Sequence, residues 1–433
     1  MNQPVAHLGV IFPGNNESVV WRHPATRSFL ELDTYLDFAR TAERGGLDFL
    51  FLAERLGIRG AAGRVHEHLA AGRVDNLTVL AALARATTHL GLVATLNTTF
   101  NDALTLARQL ATLDQLSAGR AAWNIVTTET VGSNFSAGNY LAHDERYTRA
   151  GEVVDLVRQL WRAAPGAAVR HEGRFQSYAG SPGLGRSRQG EPVLVQAGAS
   201  ADGRAFAARY ADVVFTNAGG DIERARAFRA DLRRLAGQAG RDPARVLVLP
   251  EFGFVVGDTA AEAAEQAAYL TDLKVSPLFA RAWLEDMWRR PYPDFDIDGP
   301  LPAEEPDYAG GLPADDRFAV RAATTHQQRV TAYRDLAEQQ GFTVRQLIAH
   351  LKRDSLFAGT PEAIADEIER WVTTGASDGF ILSPPVIVDS LTRFVDSVVP
   401  RLRARGLLRE TYAGSTLRDH LGLPGPTAGT PAD

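Results

Sequence analysis

Short, almost unbroken apolar runs alternate with longer stretches whose apolar positions recur at helical spacing. The runs at 5–12, 47–53, 89–96, 121–126, 192–197, 211–217, 246–256 and 377–382 have the pattern of strands buried on both faces. Between them the period changes. Leu32, Leu36, Ala39 and Ala42 form a stripe ended by Gly45-Gly46, with Ser28 and Glu31 ahead of it at capping-box spacing. Stretches 77–87 and 102–116 read as the next helices. Asp144 is a cap for a helix carrying Val153, Val154, Leu156, Val157 and Leu160. Further helices are expected at 203–210 and 222–239, after a Thr259/Glu262 cap, over 326–353 in one or two pieces, at 360–373 and at 386–405. Thr360 caps the stretch at 360–373, with Pro361 at its first helical position.

Eight strands, each separated by a helical segment, predict an α/β fold, a parallel (β/α)8 TIM barrel with long loop insertions. The insertions fall near 55–76, 163–190 and 290–318. The second is rich in Gly, Pro and Arg and expected to be mostly loop; the third reads as a surface excursion. No linker or internal repeat divides the chain. One barrel domain is expected over 1–423, followed by a disordered Pro/Gly/Thr-rich tail at 424–433. Ligand sites in such folds lie at the carboxyl ends of the strands.

Composition narrows the function. Of 433 residues 45% are apolar, enough for a large core, and the net charge of −6 argues against a nucleic-acid partner. The absence of cysteine excludes disulfides, thiolate metal sites and cysteine nucleophiles. The N-terminus is a poor secretory signal and no apolar run is long enough for a membrane span, so a cytoplasmic location is expected. No G-x-G-x-x-G lies between a strand and a helix, which argues against a nicotinamide domain within the chain.

Candidate chemistry gathers at the expected strand ends. Asn124, Thr127 and Thr128 end the fourth strand, and His143 and Tyr147 sit one turn apart at the start of the next helix. Those two suit a flavin pocket, though a helix-capping histidine and a half-buried tyrosine would look the same. Ala53-Glu54 and Thr95 end the second and third strands, with Asn97 on the same side as Thr95. Gln196 to Arg204, QAGASADGR, runs from a strand end into a helix. Gly198, Ala199, Ser200 and Gly203 there can admit a phosphate to free helix amides or simply make a tight turn. Arg204-Ala205 stand where a P-loop would have Lys-Ser/Thr, so that reading fails. His66 and His68 lack a third ligand by spacing, and no metal is expected. Trp21, Arg22 and His23 follow the first strand, either at the rim or as a loop anchored by a buried tryptophan.

NIVTT, NF, H-x-x-R-Y (His143, Arg146, Tyr147) and LW come in order within 124–161. WRHP at 21–24, QAGAS at 196–200, GTPE at 359–362 and GASDGFIL at 375–382 complete the set. Together they resemble the bacterial-luciferase-like flavin monooxygenases. The branch is that of nitrilotriacetate monooxygenase, pristinamycin synthase and dibenzothiophene sulfone monooxygenase, over nearly the whole chain. The resemblance implies a two-component FMN-dependent monooxygenase. Reduced FMN comes from a separate NAD(P)H:flavin reductase, and dioxygen oxygenates a small organic substrate. It implies flavin contacts at Glu54, Thr95, Asn97, His143, Tyr147, Ala199 and Ser200, with the phosphate at the Ser200 turn. The family often has Asp where Glu54 stands. It also implies a homo-oligomer, dimer or tetramer. A deazaflavin-dependent oxidoreductase and a non-catalytic flavin- or ligand-binding barrel remain as alternatives.

Overall fold

The computed structural model describes residues 5–15, 19–54, 60–61, 64–65, 74–127, 143–198, 200–217, 220–307, 317–353 and 356–425. At 15, 60–61, 64–65, 143–144, 317–325 and 352–353 it describes the backbone alone. Eight strands make the frame: β1 (His7–Ile11), β2 (Phe49–Leu52), β3 (Gly91–Asn97), β4 (Ala121–Val126), β5 (Val193–Ala197), β6 (Val213–Thr216), β7 (Leu247–Val256) and β8 (Gly379–Ser383). Each pairs in parallel with the next and β8 pairs with β1, so the sheet closes into the expected barrel.

Alternate residues divide between two cores. Ile11, Phe49, Phe51, Val93, Ala122, Val195, Val213, Leu249 and Ile381 fill the interior. Leu8, Val10, Leu50, Leu92, Trp123 and Leu194 face the surrounding helices. Burial on both faces is why the strands read as continuous apolar runs. Gly9 is required by packing: a Cβ there would lie 2.2 Å from Phe49 Cε2.

The helices are α1 (Leu32–Arg44), α2 (Asn76–Ala86), α3 (Ala103–Leu116), α4 (His143–Arg162), α5 (Ala201–Tyr210), α6 (Ile222–Gln238), α7 (Ala260–Lys274), α8 (Pro277–Trp288), α9 (Arg317–Gln340), α10 (Val344–Arg353), α11 (Pro361–Thr373), α12 (Asp389–Ser397), α13 (Val399–Ala404) and α14 (Leu417–His420). Side chains of Asp75, Asp102, Ser200, Asp221, Thr259 and Thr360 cap the first turns that follow them.

Several expectations are corrected. The Ser28/Glu31 box does not form: α1 starts at Leu32, and Glu31 caps it without a side-chain bond. The Tyr35 hydroxyl donates to the Phe29 carbonyl at 2.7 Å, which holds 29–31 outside the helix. α4 begins at His143, so Asp144 lies inside its first turn rather than at the cap. Residues 163–190 are mostly loop, as expected, but they also contain an antiparallel hairpin, Val169–Glu172 with Ser177–Gly180. Its turn is held by Glu152 of α4, which accepts the Phe175 and Gln176 amides at 3.0 and 2.6 Å. Tertiary contact, not local pattern, makes that hairpin.

The described part of the 290–318 insertion is no simple surface loop. Tyr292 and Ile297 are buried with Trp288, Val330, Val344 and Ile348 in a separate cluster. The closing helix breaks at Val398, ahead of Pro400, which has no N–H to continue the ladder. Leu417, Leu421 and Leu423, a stretch without an expected element, join the interior core.

Candidate functional site

The carboxyl ends of β2, β3 and β4 carry a connected set of neutral polar groups. Thr95 of β3 stands opposite Asn124 of β4, and Asn124 Nδ2 donates to the Thr95 hydroxyl at 3.1 Å. Asn76, first residue of α2 and 1% exposed, donates from Nδ2 to the Thr95 carbonyl at 3.1 Å. Asn124 Oδ1 and Asn76 Oδ1 are buried without a hydrogen-bond partner among the described residues. Open acceptors of this kind are uncommon in a folded interior and mark a place where a donor from outside the chain fits.

Glu54 follows β2 and is half-buried. Burial pushes its carboxyl up to about 7; the charge of Asp75 adds to the effect and a hydrogen bond from Asn76 offsets part of it. Asn97 ends β3, but its Oδ1 accepts the Phe100 amide at 2.7 Å and its carbonyl accepts Asn101 Nδ2 at 2.9 Å. Its oxygens therefore hold the β3–α3 turn.

On the neighbouring arc of the rim, β5 runs into α5 through Gly198 and Ser200. Ser200 caps α5 by accepting the Gly203 amide at 3.0 Å. The amides of Ala201 and Asp202 have no partner among the described residues and lie at the positive end of the helix dipole. Gly203 is closely approached: a Cβ would sit 3.0 Å from Ser200 Oγ and 3.1 Å from Tyr147 Oη, so both would have to give way slightly. The Tyr147 hydroxyl and the Ser200 turn thus come together from two helices. The Tyr147 ring packs 5.7 Å from that of Phe206 on α5. A Cβ at Gly198 would meet Gln196 Nε2 at 2.3 Å, so that side chain would have to shift.

His143 is the first residue of α4, and its side chain lies outside the described set, as do Ala199, Thr128, His66 and His68. Thr127 is half-buried at the end of β4. His23 borders a cavity of about 290 Å³ with Phe254, Leu270, Asp389 and Arg393, lined from β7, α7 and α12.

Arg149 had no signal in the pattern. Its Nε donates to the Thr98 carbonyl at 2.9 Å and its Nη2 to the Asn101 carbonyl at 3.3 Å, fastening α4 to the loop after β3. Only the closed barrel brings those partners within reach. Among the described residues no three His, Asp or Glu side chains gather as a metal site. No described helix is long and apolar enough to cross a membrane.

These groups fit a flat heteroaromatic ligand with a phosphate tail. At the α5 turn two amides without a partner among the described residues lie beside the hydroxyls of Ser200 and Tyr147, and the β2–β4 rim presents the Asn76 and Asn124 acceptors for ring N–H groups. Comparison with known proteins points the same way. The sequence profile described as "Luciferase-like monooxygenase" matches residues 14–378. The chain is 36% identical to N-acetyl-S-(2-succino)cysteine monooxygenase of Bacillus subtilis (strain 168), covering 97% of each. It is 36% identical to nitrilotriacetate monooxygenase component A of Aminobacter aminovorans, covering 94% of this chain and 93% of that one. The crystal structure of riboflavin lyase with modified FMN and riboflavin superposes with a TM-score of 0.78 at 28% identity, covering 98% of this chain and 97% of the other.

Proposed function

The chain belongs to the luciferase-like monooxygenase family, and from that premise we propose that it is the oxygenase of a two-component system. It takes reduced FMN from a separate NAD(P)H:flavin reductase and acts on a small organic substrate with dioxygen. When bound, the reduced flavin supplies the two electrons that place one oxygen atom on the substrate and release the other as water. The chain's own residues bind, orient and exclude water.

Ser200, the amides of Ala201 and Asp202, and the Tyr147 hydroxyl would hold the phosphate, with Ala199 in the same turn. Thr95, Asn124 and Glu54 would face the ring, with Asn97 shaping the turn beside them and His143 at the head of α4. The observation that carries the reading is the meeting of Tyr147 Oη and Ser200 Oγ around Gly203. A tight turn alone does not need a hydroxyl from another helix there. The deazaflavin alternative gains no support from the site.

The test compares reduced FMN with reduced riboflavin. Reduced FMN should bind clearly more tightly, and the protein alone should oxidise little NADH. Vigorous NADH oxidation without an added reductase would sink the proposal. A dimer or tetramer is expected by light scattering, and a cytoplasmic location by fractionation.

A further inference from the structure

The cavity of about 290 Å³ beside His23 lies on the β7, β8 and β1 side of the barrel, away from the β2–β5 arc, and between α7 and α12. Its floor is apolar, made by the buried side chains of Phe254, Leu270 and Val386. Its rim is polar, and hydrogen bonding sorts the rim into two sets.

The first set is engaged within the protein. Gln266 Nε2 donates to Glu262 Oε1 at 2.7 Å, and Gln266 Oε1 accepts from Arg393 Nη1 at 3.2 Å. Arg393 Nη2 lies 3.9 Å from Glu262 Oε1, so the guanidinium has its counter-charge on α7. Ser390 Oγ accepts the Val386 amide at 3.2 Å.

The second set has no partner among the described residues: the Asp389 carboxylate, the Tyr269 hydroxyl and Nε2 of His23. His23 Nδ1 accepts the Ala25 amide at 3.2 Å, which puts the proton of the neutral ring on Nε2. That ring meets Tyr269 edge to face, with centroids 5.9 Å apart. Asp389 and Arg393 stand four apart on α12, where opposite charges usually pair. Here Arg393 turns to α7 instead, and the carboxylate is left without a cation. Val388 sets the entry to α12 with φ 70° and ψ −55°, a backbone conformation rare for a β-branched residue. Strain of this kind gathers where a group must be held in place.

From this inventory we propose that the cavity is a second small-molecule site, independent of the flavin, for an organic ammonium ion with a short apolar chain. The ammonium pairs with Asp389 beside the Tyr269 ring, and the chain covers Phe254, Leu270 and Val386. An anionic ligand would meet an uncompensated carboxylate and an arginine that already has its partner. The volume has room for roughly six to ten non-hydrogen atoms. Binding makes and breaks no covalent bond.

The experiment titrates flavin-free protein at neutral pH with isopentylammonium chloride, followed by calorimetry and by saturation-transfer NMR. Isopentanol and isovalerate are the matched neutral and anionic compounds. The ammonium should saturate one site and bind more tightly than isopentanol, and isovalerate should not bind. Asp389 is exposed, so Asp389→Asn should fold as wild type does. It should weaken the ammonium about tenfold and leave isopentanol unchanged. Arg393→Gln should leave the ammonium as tight as in wild type or tighter, because the Glu262 charge then loses its partner. Ser200→Asp, on the other arc, should bind the ammonium as wild type does.

The proposal is overturned if the ammonium does not saturate, if Asp389→Asn binds it as tightly as wild type, or if isovalerate binds better and is lost in Arg393→Gln. It is also overturned if Ser200→Asp loses the ammonium, which would place the amine in the barrel mouth. With no flavin present, none of these results decides whether the chain binds reduced FMN, and absence of FMN binding would not touch this site.

Discussion

At the amino end of the barrel Arg120 is 2% exposed and donates to five oxygens: Ser117 O, Thr87 Oγ1, Thr87 O, Leu90 O and Ala84 O. Nearby Glu43 Oε1 accepts the amides of Thr88, His89 and Leu90. Asp48 accepts the Leu8 amide at 2.7 Å and faces Arg409, and Asp378 accepts the Val248 amide while pairing with Arg229 and Arg233. At the carboxyl end the buried polar groups of β3, β4 and α2 are neutral. Two of their acceptors, Asn76 Oδ1 and Asn124 Oδ1, have no hydrogen-bond partner among the described residues. The first arrangement joins helix ends to strand starts with charge-assisted bonds that have one solution. The second leaves hydrogen-bonding capacity for a ligand to complete. Barrels of this kind separate stability and chemistry between their two ends, and here the contrast is between charged groups bonded across elements and neutral groups at the strand ends.

The largest effect should come from disturbing the amino end. Arg120→Met leaves several buried carbonyls unserved and should cost about 3–5 kcal/mol, read as a lower urea midpoint by tryptophan fluorescence. Folded protein of this variant should bind reduced FMN with wild-type affinity. A large loss of affinity with little loss of stability would show that the two ends are not separate. Next is Ser200→Asp at the carboxyl end. Asp also caps helices, so stability should hold within about 0.5 kcal/mol. A carboxylate competing with phosphate for the same amides should weaken reduced FMN about ten- to a hundredfold, and reduced riboflavin much less. Equal loss for both ligands would place the phosphate elsewhere.

A smaller effect is expected of Tyr147→Phe. Losing one hydroxyl contact should cost about 0.5–1.5 kcal/mol of reduced-FMN affinity, a few-fold to tenfold, with the fold intact. More of the consumed oxygen should appear as hydrogen peroxide, and His143→Ala is expected to act in the same direction. Unchanged affinity and coupling in both variants would return these residues to a capping role.

Much of the carboxyl end was legible because its residues are local. Thr95 and Asn124 stand at strand ends, Ser200 at a helix start, and Tyr147 within a turn of a helix start. The amino end was not. Arg120 is one arginine among many until closure brings Ala84, Thr87 and Leu90 around it. Arg149 likewise has no periodic signal. The hairpin at 169–180 needs Glu152, and the Leu417, Leu421 and Leu423 plug needs an open barrel end to fill. Asn97 shows the limit within the legible set: its position at the rim was readable, but the attachment of its oxygens to the following turn was not.

The amino end also holds buried polar atoms without a hydrogen-bond partner among the described residues, among them His89 Nδ1, Asp114 Oδ2 and Ser377 Oγ, and the ring of His420 supplies the mildest test. His420 of α14 is 4% exposed, and neither ring nitrogen has a hydrogen-bond partner. Its ring lies 4.8 Å from Tyr412 and 6.1 Å from His89, with Arg409 and Asp48 the charges beside it. Burial, helped by Arg409, lowers its pKa from the ordinary 6.5 to about 4. Above pH 6.5 the ring is neutral in both folded and unfolded chains and no stability is lost. As pH falls from 6.5 towards 4, the unfolded chain takes up a proton that the folded protein refuses. Stability should therefore fall over that window, by about 1–3 kcal/mol from this residue, and level off below it. His420→Phe fills a similar volume and should change stability at pH 7 by less than about 1.5 kcal/mol. Between pH 6.5 and pH 4 it should lose less than wild type does, whatever other carboxyls contribute to both. Urea midpoints that fall in parallel for the two proteins would show that the ring is protonated in place. The plug, like the rest of that end, would then have a partner for its charge.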